Sequence, residues 1–542
     1  MNWNKVNSER NKLRIILPLI IAAGITGGIL LGYMIQYNSK GSVSMDSFSH
    51  PDKVSSILGY IENNYVDSVN RADFNEILIP EILKNLDPHS IYIPPRDLAG
   101  VNETLRGNFD GIGVQFNMQE DTILVIQAIR GGPSEKAGIL AGDRIVSVND
   151  STVAGVGIPE DSVISWLRGP NGSKVNVGVV RKGLDQPIDF TLTRGKIPLY
   201  SVDVSYMMTN ETGFLKITTF SQTTYTEFIE NLNKLLKQGC TRLIIDLRGN
   251  SGGIMDPAIQ IADAFLDEGQ LIVYTEGNNR KREDFYASRQ VPGKDLELAI
   301  LIDEGSASAS EIVAGAIQDN DRGIIIGRRS FGKGLVQEQV MLSDGSALRL
   351  TTARYYSPTG RCIQRDYTNG KEDYYLDFHR RFSQGEMMEE DSIHFPDSLK
   401  FVTPGGRIVY GGGGIMPDHF VPYDTTGVTP FLMRLTRAGA IYRFALLYSD
   451  NHRENLSAFS SASQISDYLE NGPLLKEFLS YARSNGISVK DSEIKASEEI
   501  VLTQIKAYIS RNLLDNEGFY PIIQRIDTTL KEALGLIEKK KS

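Results

Sequence analysis

Histidine and cysteine are the scarce materials of this sequence, and it has no excess of positive charge. Six histidines are spread over 542 residues, and none falls between residues 90 and 378. A nucleophile in that long middle stretch must find a base other than a nearby histidine. Two cysteines, Cys240 and Cys362, are too few for a disulfide framework and offer no metal-ligand spacing. Cys240 directly precedes an expected core strand, and the two are not expected to pair. The formal charge is -10, and the only dense basic run is 539–541, which speaks against a nucleic-acid partner. The acidic stretch 386–391 carries no ligand spacing either, so neither a metal nor a cofactor is expected. What is plentiful is ordinary: 41% hydrophobic residues and 51 glycines describe a globular chain rich in turns, long enough for three or four domains.

The most informative segment is Gly305-Ser-Ala-Ser-Ala-Ser-Glu-Ile, followed by Phe331-Gly-Lys-Gly-Leu-Val-Gln. The apolar run 298–302 reads as a buried strand and 310–320 as a helix with Ile312, Val313, Ala316 and Ile317 on its apolar side. Ser308 then falls at the strand-to-helix junction, where backbone N–H groups are unpaired and can stabilise an oxyanion. A serine hydroxyl needs a base, and a lysine serves when burial leaves part of its amine unprotonated. Lys333 stands in a glycine-flanked turn after a second short apolar strand, 323–327. Gln337 follows four residues later, on the same side of a strand or a helix, placed to orient the amine without adding charge. A small-residue helix start and a surface turn account for either fragment alone, but not for the two together.

With these blocks in hand, the chain resembles the C-terminal processing peptidases, also called tail-specific proteases. The resemblance runs from residue 86 to about 422. It includes Leu86-Asp-Pro-His-Ser-Ile-Tyr, Phe109-Asp-Gly-Ile-Gly-Val, Asp246-Leu-Arg-Gly-Asn-Ser-Gly-Gly, Tyr355-Tyr-Ser-Pro-Thr-Gly-Arg and Gly413-Gly-Ile-Met-Pro-Asp. It implies a serine–lysine pair assisted by glutamine, carried onto Ser308, Lys333 and Gln337.

Gly249-Asn-Ser-Gly-Gly also satisfies G-x-S-x-G, after an expected strand and before an expected helix, as a nucleophile elbow would. That reading makes Ser251 the nucleophile, with His379, His394 or His419 as its partner; those histidines lie in polar, loop-like sequence. The more economical role uses the glycines themselves. Their backbone can approach a bound peptide closely, and their N–H groups can donate to an oxyanion. Gly252 or Gly253, with the Ala309 amide, is assigned to the oxyanion hole.

At the other end, 15–35 is a run without charge, long enough to cross a bilayer. Lys5, Arg10, Lys12 and Arg14 precede it, so the tip is expected in the cytoplasm and the remainder outside. No convincing cleavage site closes the run, and a retained signal anchor is preferred to a cleaved signal peptide. The expected organisation is a cytoplasmic tip and transmembrane anchor over 1–38, then a tether and helical region over 39–106. In the family, that helical region packs on the core or mediates dimerisation.

Residues 107–196 read as a β-rich module that looks like a PDZ domain. Ile112, Gly113 and Val114 form its carboxylate-binding loop, and a peptide would add along a sheet edge. Arg168, just after a short expected helix over 160–167, is a candidate for coupling peptide binding to the active site, by resemblance to family members gated in this way. From 197 to 424 strands alternate with helices, which argues an α/β core, interrupted over 367–405 by an inserted loop or lid. Amphipathic helices over 431–447, 465–485, 497–513 and 522–537 form a C-terminal extension over 425–542.

The expected fold is thus an α/β protease core with an inserted β-rich PDZ domain, an N-terminal transmembrane helix and helical N- and C-terminal extensions. The expected function is a serine endopeptidase anchored in the inner (plasma) membrane, with its catalytic part on the periplasmic side. Its partners would be proteins or peptides with free, apolar C-termini, and a second copy of itself in a homodimer or higher oligomer. Two alternatives stay open: a PDZ scaffold whose hydrolase fold is inactive, and a hydrolase using Ser251.

Overall fold

In the computed structural model the described residues are 53–119, 121–288, 292–488 and 490–539. The anchor expected over 15–35 and the tether over 39–50 lie outside them. Among the described residues no helix is long and apolar enough to cross a membrane. The chain divides into two compact units, Met1–Glu81 and Ile82–Ser542. In the first, the helix Lys53–Asn64 buries none of its residues, and the helix Arg71–Leu83 begins after a short loop.

The second unit is organised by a six-stranded sheet. Its order is Val202–Met207, Thr212–Ile217, Arg242–Asp246, Glu297–Ile302, Ile324–Gly327 and His419–Phe420. The first pair is antiparallel and all later pairs are parallel. Successive side chains point to opposite faces of a strand, so unbroken apolar runs such as Leu243-Ile-Ile serve two cores at once. On one face Leu215, Leu243, Ile245, Ile300 and Ile302 meet the helices Thr224–Lys237, Met255–Asp263 and Ala309–Asp319. On the other, Phe214, Ile244, Ala299 and Leu301 are covered by Leu530, Ala533 and Ile537 of the last helix, Thr528–Lys539. The C-terminal extension therefore supplies one layer of the α/β core.

A second, antiparallel sheet pairs Ala347–Tyr356 with Ile91–Ile93, Leu271–Gly277 and Leu335–Met341. Gln337 lies opposite Thr351, and Ile91 opposite Arg349. This pairing brings the Asp87-Pro-His-Ser segment alongside the strand that carries Gln337.

The β-rich module has the order Val114–Gln119, Thr122–Ala128, Arg144–Val148, Lys174–Val180 and Ile188–Thr193, with Val114–Gln119 at an edge. Its core holds Ile123, Ile145, Val163, Leu167, Val177 and Val179. The expected short helix spans Glu160–Leu167. Asn108–Gly111 and Gly195–Pro198 pair as a two-stranded stem at its base.

The interrupting stretch is tightly fastened for a loop or lid. It contains the helix Lys371–Ser383 and the strand Lys400–Val402, which pairs with Ile408–Tyr410 just beyond it. Buried Arg381 donates to Glu386 Oε1 (2.7 Å) and to the carbonyls of Arg329 (2.7 Å) and Ser330 (3.1 Å). In the C-terminal extension, one expected helix over 431–447 is two, Pro430–Arg437 and Ala440–Asn451, parted at Gly439. The long helix Asp491–Ile523 is kinked at Asp515, whose φ is 58°. Cys240 and Cys362 are both free.

Candidate active site

The neighbouring parallel strands Arg242–Asp246 and Glu297–Ile302 end at the same edge of the central sheet. Crevices at the carboxyl ends of such strands are the usual ligand sites of open α/β sheets. One strand runs into the glycine loop 249–253 and the other into the serine segment 305–308. Asn250, fully buried, fastens the two loops together. Its side chain donates to the Ile217 carbonyl (3.0 Å), and its own carbonyl accepts from Ala307 N–H (3.0 Å) and Ser310 Oγ–H (2.9 Å). The approach is so close that a Cβ on Gly252 would lie 2.7 Å from both Ala307 O and Ser308 Cβ. Only glycine fits there, and its φ of 98° is itself a glycine conformation.

Ser308 is half-buried at the N-terminal end of the helix Ala309–Asp319, with φ 55° and ψ −112°. A non-glycine residue held in such a conformation stores strain that the surrounding structure must impose. Lys333 lies in the turn before Leu335–Met341, and its Nζ donates to Gln337 Oε1 at 3.1 Å. Burial first, then the Arg349 charge, pull the lysine pKa below its ordinary value; Glu311 and Asp87 pull the other way. Among the described residues no hydrogen bond joins Ser308 Oγ to Lys333 Nζ. Their main chains are nonetheless tied: the Tyr355 hydroxyl is within hydrogen-bond distance of both the Ser308 carbonyl, at 3.0 Å, and the Lys333 carbonyl.

The Asp87-Pro-His-Ser segment has a structural part here. Gln337 Nε2 donates to the His89 carbonyl (2.6 Å), and Asp87 Oδ1 accepts from the N–H groups of His89 and Ser90 (2.8 Å each). His89 Nε2 meets Tyr374 Oη at 2.9 Å. Burial, then the Lys333 charge, push the imidazole pKa down to about 3, so it is neutral across the physiological range. Sequence reasoning also missed Glu311, although Ser308-x-x-Glu311 has the spacing of a helix capping box. Its Oε2 accepts the Ser308 N–H at 2.8 Å.

Among the expected oxyanion donors the geometry is selective. The Gly252 N–H is taken by Asn250 Oδ1 at 2.9 Å. The N–H groups of Gly253 and Ala309 make no hydrogen bond among the described residues. Gly253 is pinned beside the 218–220 segment, where Phe220 N–H donates to Gly252 O (3.0 Å) and Ile254 N–H to Phe220 O (2.8 Å). Ser251 is exposed, and among the described residues no histidine is hydrogen-bonded to it. His419 lies 3.8 Å from Glu532, and His379 packs edge-on against Phe378.

In the β-rich module Ile112 and Gly113 are buried, and Val114 opens the edge strand. The carbonyl of Ile112 accepts from Ser134 N–H (3.0 Å) and Oγ–H (2.7 Å). The N–H groups of residues 112 and 113 make no hydrogen bond among the described residues. Arg168 sits 4.7 Å over the Phe109 ring and donates to Glu103 Oε2 at 2.5 Å. Glu103 belongs to the helix Pro95–Arg106, in which Asn102 Oδ1 accepts from Gln339 Nε2 at 3.1 Å. Among the described residues no group of side chains is arranged to hold a metal ion.

Comparison with known proteins places these features in a family context. Residues 211–372 match peptidase family S41, residues 111–192 match the PDZ domain, and residues 431–515 match a family of unknown function. The carboxy-terminal-processing protease of Bartonella bacilliformis is 36% identical over 315 residues, 57% of this chain and 71% of that one. The carboxy-terminal processing protease CtpA of Bacillus subtilis is 32% identical over 352 residues, 65% of this chain and 74% of that one. A solved photosystem II D1 C-terminal processing protease is 29% identical, covering 60% of this chain and 87% of that one at a TM-score of 0.34.

Proposed function

Because the chain belongs to peptidase family S41, as a carboxy-terminal processing serine protease with a PDZ domain, we propose that Ser308 is its nucleophile and Lys333 its general base. The observation that carries this reading is the state of Lys333: a largely buried amine with a depressed pKa, held by a neutral amide, on a turn tied to the serine segment. Lowering that pKa enlarges the unprotonated fraction of the amine, the form that accepts a proton. Catalytic hydrogen bonds are commonly long before substrate arrives, so the serine–lysine bond forms as the peptide seats. Lys333 takes the Ser308 proton while Oγ bonds to the scissile carbonyl carbon. The N–H groups of Gly253 and Ala309 receive the oxyanion, while Gly252 supplies the close approach rather than a donor. The lysine ammonium then protonates the leaving amine as the C–N bond breaks, and water attacks the acyl-enzyme by the reverse proton path.

Ile112, Gly113 and Val114 capture the substrate's terminal carboxylate, and the peptide adds along the Val114–Gln119 edge. The unengaged N–H groups of 112 and 113 support this assignment. Arg168 couples the two sites through Glu103, Asn102 and Gln339, the last being two residues from Gln337. The run 15–35 anchors the enzyme with its catalytic part on the periplasmic side.

The test is cleavage of an unfolded protein with an apolar C-terminus by the full-length enzyme and three variants. Ser308→Ala and Lys333→Ala should lower turnover by several orders of magnitude, as loss of a nucleophile or its base does. Ser251→Ala should retain cleavage. Undiminished cleavage by Ser308→Ala, or its loss only in Ser251→Ala, overturns the assignment.

A further inference from the structure

Glu311 is 1% exposed and takes no part in the chemistry above. Four donors converge on its carboxylate. Oε2 accepts the N–H groups of Ser308 (2.8 Å) and Lys333 (2.8 Å). Oε1 accepts the N–H of Gly332 (2.7 Å) and the hydroxyl of Ser330 (2.5 Å). An ionised carboxylate offers about four lone-pair sites, so every site is filled. A proton on either oxygen would have to displace one of these donors. The charge is therefore solvated by the two segments that carry the nucleophile and the base, which the glutamate binds at their main chains.

Titratable groups face Glu311 from three elements: Lys333 from its turn, Tyr355 from Ala347–Tyr356, and Tyr374 from Lys371–Ser383. Burial raises the pKa of both phenols, which stay neutral. Lys333 is left as the neighbour whose charge responds. Burial also pushes the Glu311 pKa up to about 7, against the pull of its four donors. The carboxylate thus titrates in the physiological range although it is buried.

Resting on the serine–lysine reading, we propose that Glu311 is a positioning residue of the reaction. Its ionised carboxylate holds Ser308 and Lys333 in register, and its protonation releases them. Full activity requires Glu311 ionised and Lys333 neutral, so both titrations shape the acid side of the pH profile.

The experiment is kcat and KM against pH for the full-length enzyme, with unfolding midpoints measured in parallel. Glu311→Gln keeps the size but turns an NH2 group toward two of the donors. It should lower kcat roughly 100-fold, the scale of an ångström-level misplacement, with KM unchanged. It also removes a charge that raises the Lys333 pKa, so the residual activity should rise at lower pH. Glu311→Asp, which keeps the charge on a shorter arm, should recover part of kcat. Ser330→Ala removes one donor from the carboxylate, so the Glu311 pKa climbs and the rising limb should move to higher pH. The last result decides the matter if Glu311→Gln does not fold. A kcat for Glu311→Gln within about threefold of wild type, or a Ser330→Ala limb that stays or moves down, overturns the proposal. Retained activity in Ser308→Ala would instead overturn the serine–lysine reading beneath it.

Discussion

The side-chain amide of Gln337 donates to the main-chain carbonyl of His89, 2.6 Å away and 248 positions earlier in the sequence. That bond turns the amide so that its oxygen faces Lys333 Nζ. A main-chain carbonyl cannot donate, so the lysine is offered an acceptor without a negative charge beside it.

Gln337→Glu should therefore move the rising limb of the kcat profile to higher pH. A carboxylate beside the amine favours the ammonium, and each unit of upward shift costs about tenfold in neutral amine. Gln337→Ala should instead lower kcat roughly 10-fold to 100-fold with little effect on KM. A Gln337→Glu profile superimposable on wild type would show that the amide does not govern the lysine.

Arg349 acts on the same amine from the neighbouring strand. Lys333 has a folded pKa below its unfolded value, so its neutral fraction grows as pH rises through the lowered value. Removing the Arg349 cation lets that pKa climb, so Arg349→Met should need higher pH for half-maximal kcat. The same sign governs stability: the unfolded chain binds the extra proton between the two pKa values, so this group's contribution rises with pH across that window. Profiles of Arg349→Met and wild type on one peptide substrate provide the check.

Gly252→Ala places a methyl 2.7 Å from Ala307 O and Ser308 Cβ at a φ of 98°. The left-handed backbone alone costs about 1–2 kcal/mol, and the clash displaces either the glycine loop or the serine. A fall in kcat of roughly 100-fold or more is expected, with a modest drop in the denaturant midpoint. Wild-type kcat in a folded Gly252→Ala enzyme would refute the close approach.

Arg248, at the root of the glycine loop, is shared by two carboxylates. It donates to Asp246 Oδ1 and Oδ2 (2.9 and 2.8 Å) and to Asp527 Oδ1 and Oδ2 (3.0 and 2.7 Å). Burial works to raise the Asp246 pKa, but Arg248 and Lys216 overcome it and hold the carboxyl ionised. Asp527→Asn should lower stability by about 1–3 kcal/mol, the worth of charged hydrogen bonds in a partly buried setting. The loss should appear as a lower urea midpoint with an unchanged slope.

Much of the site was legible locally. Small and apolar residues after a buried strand marked the helix that Ser308 begins, and the four-residue spacing put Gln337 beside Lys333. The short helix of the β-rich module was readable to the residue, because its apolar spacing is interrupted cleanly by Pro159 and Gly169. What escaped depends on contacts between distant segments. Nothing near Gln337 in sequence points to His89, and nothing near Phe214 or Ile244 points to Leu530. The loss of the Gly252 N–H to Asn250 is a turn detail below the resolution of spacing arguments. Glu311 was the avoidable omission, since its position relative to Ser308 is a known capping pattern. The break at Gly439 was also visible, and apolar periodicity on both sides hid it.

The Arg248–Asp527 bond spans 279 positions, and the Thr212–Glu538 contact at the same sheet face spans 326. Until the last helix arrives, Phe214, Ile244, Ala299 and Leu301 have no cover on that side. A chain emerging in order completes its strands long before the helix that seals them. The apolar sheet face is then an aggregation hazard during synthesis, and closure over so large a separation is slow. Folding of this enzyme is therefore a race between late docking of its final helix and capture of the open sheet by another chain.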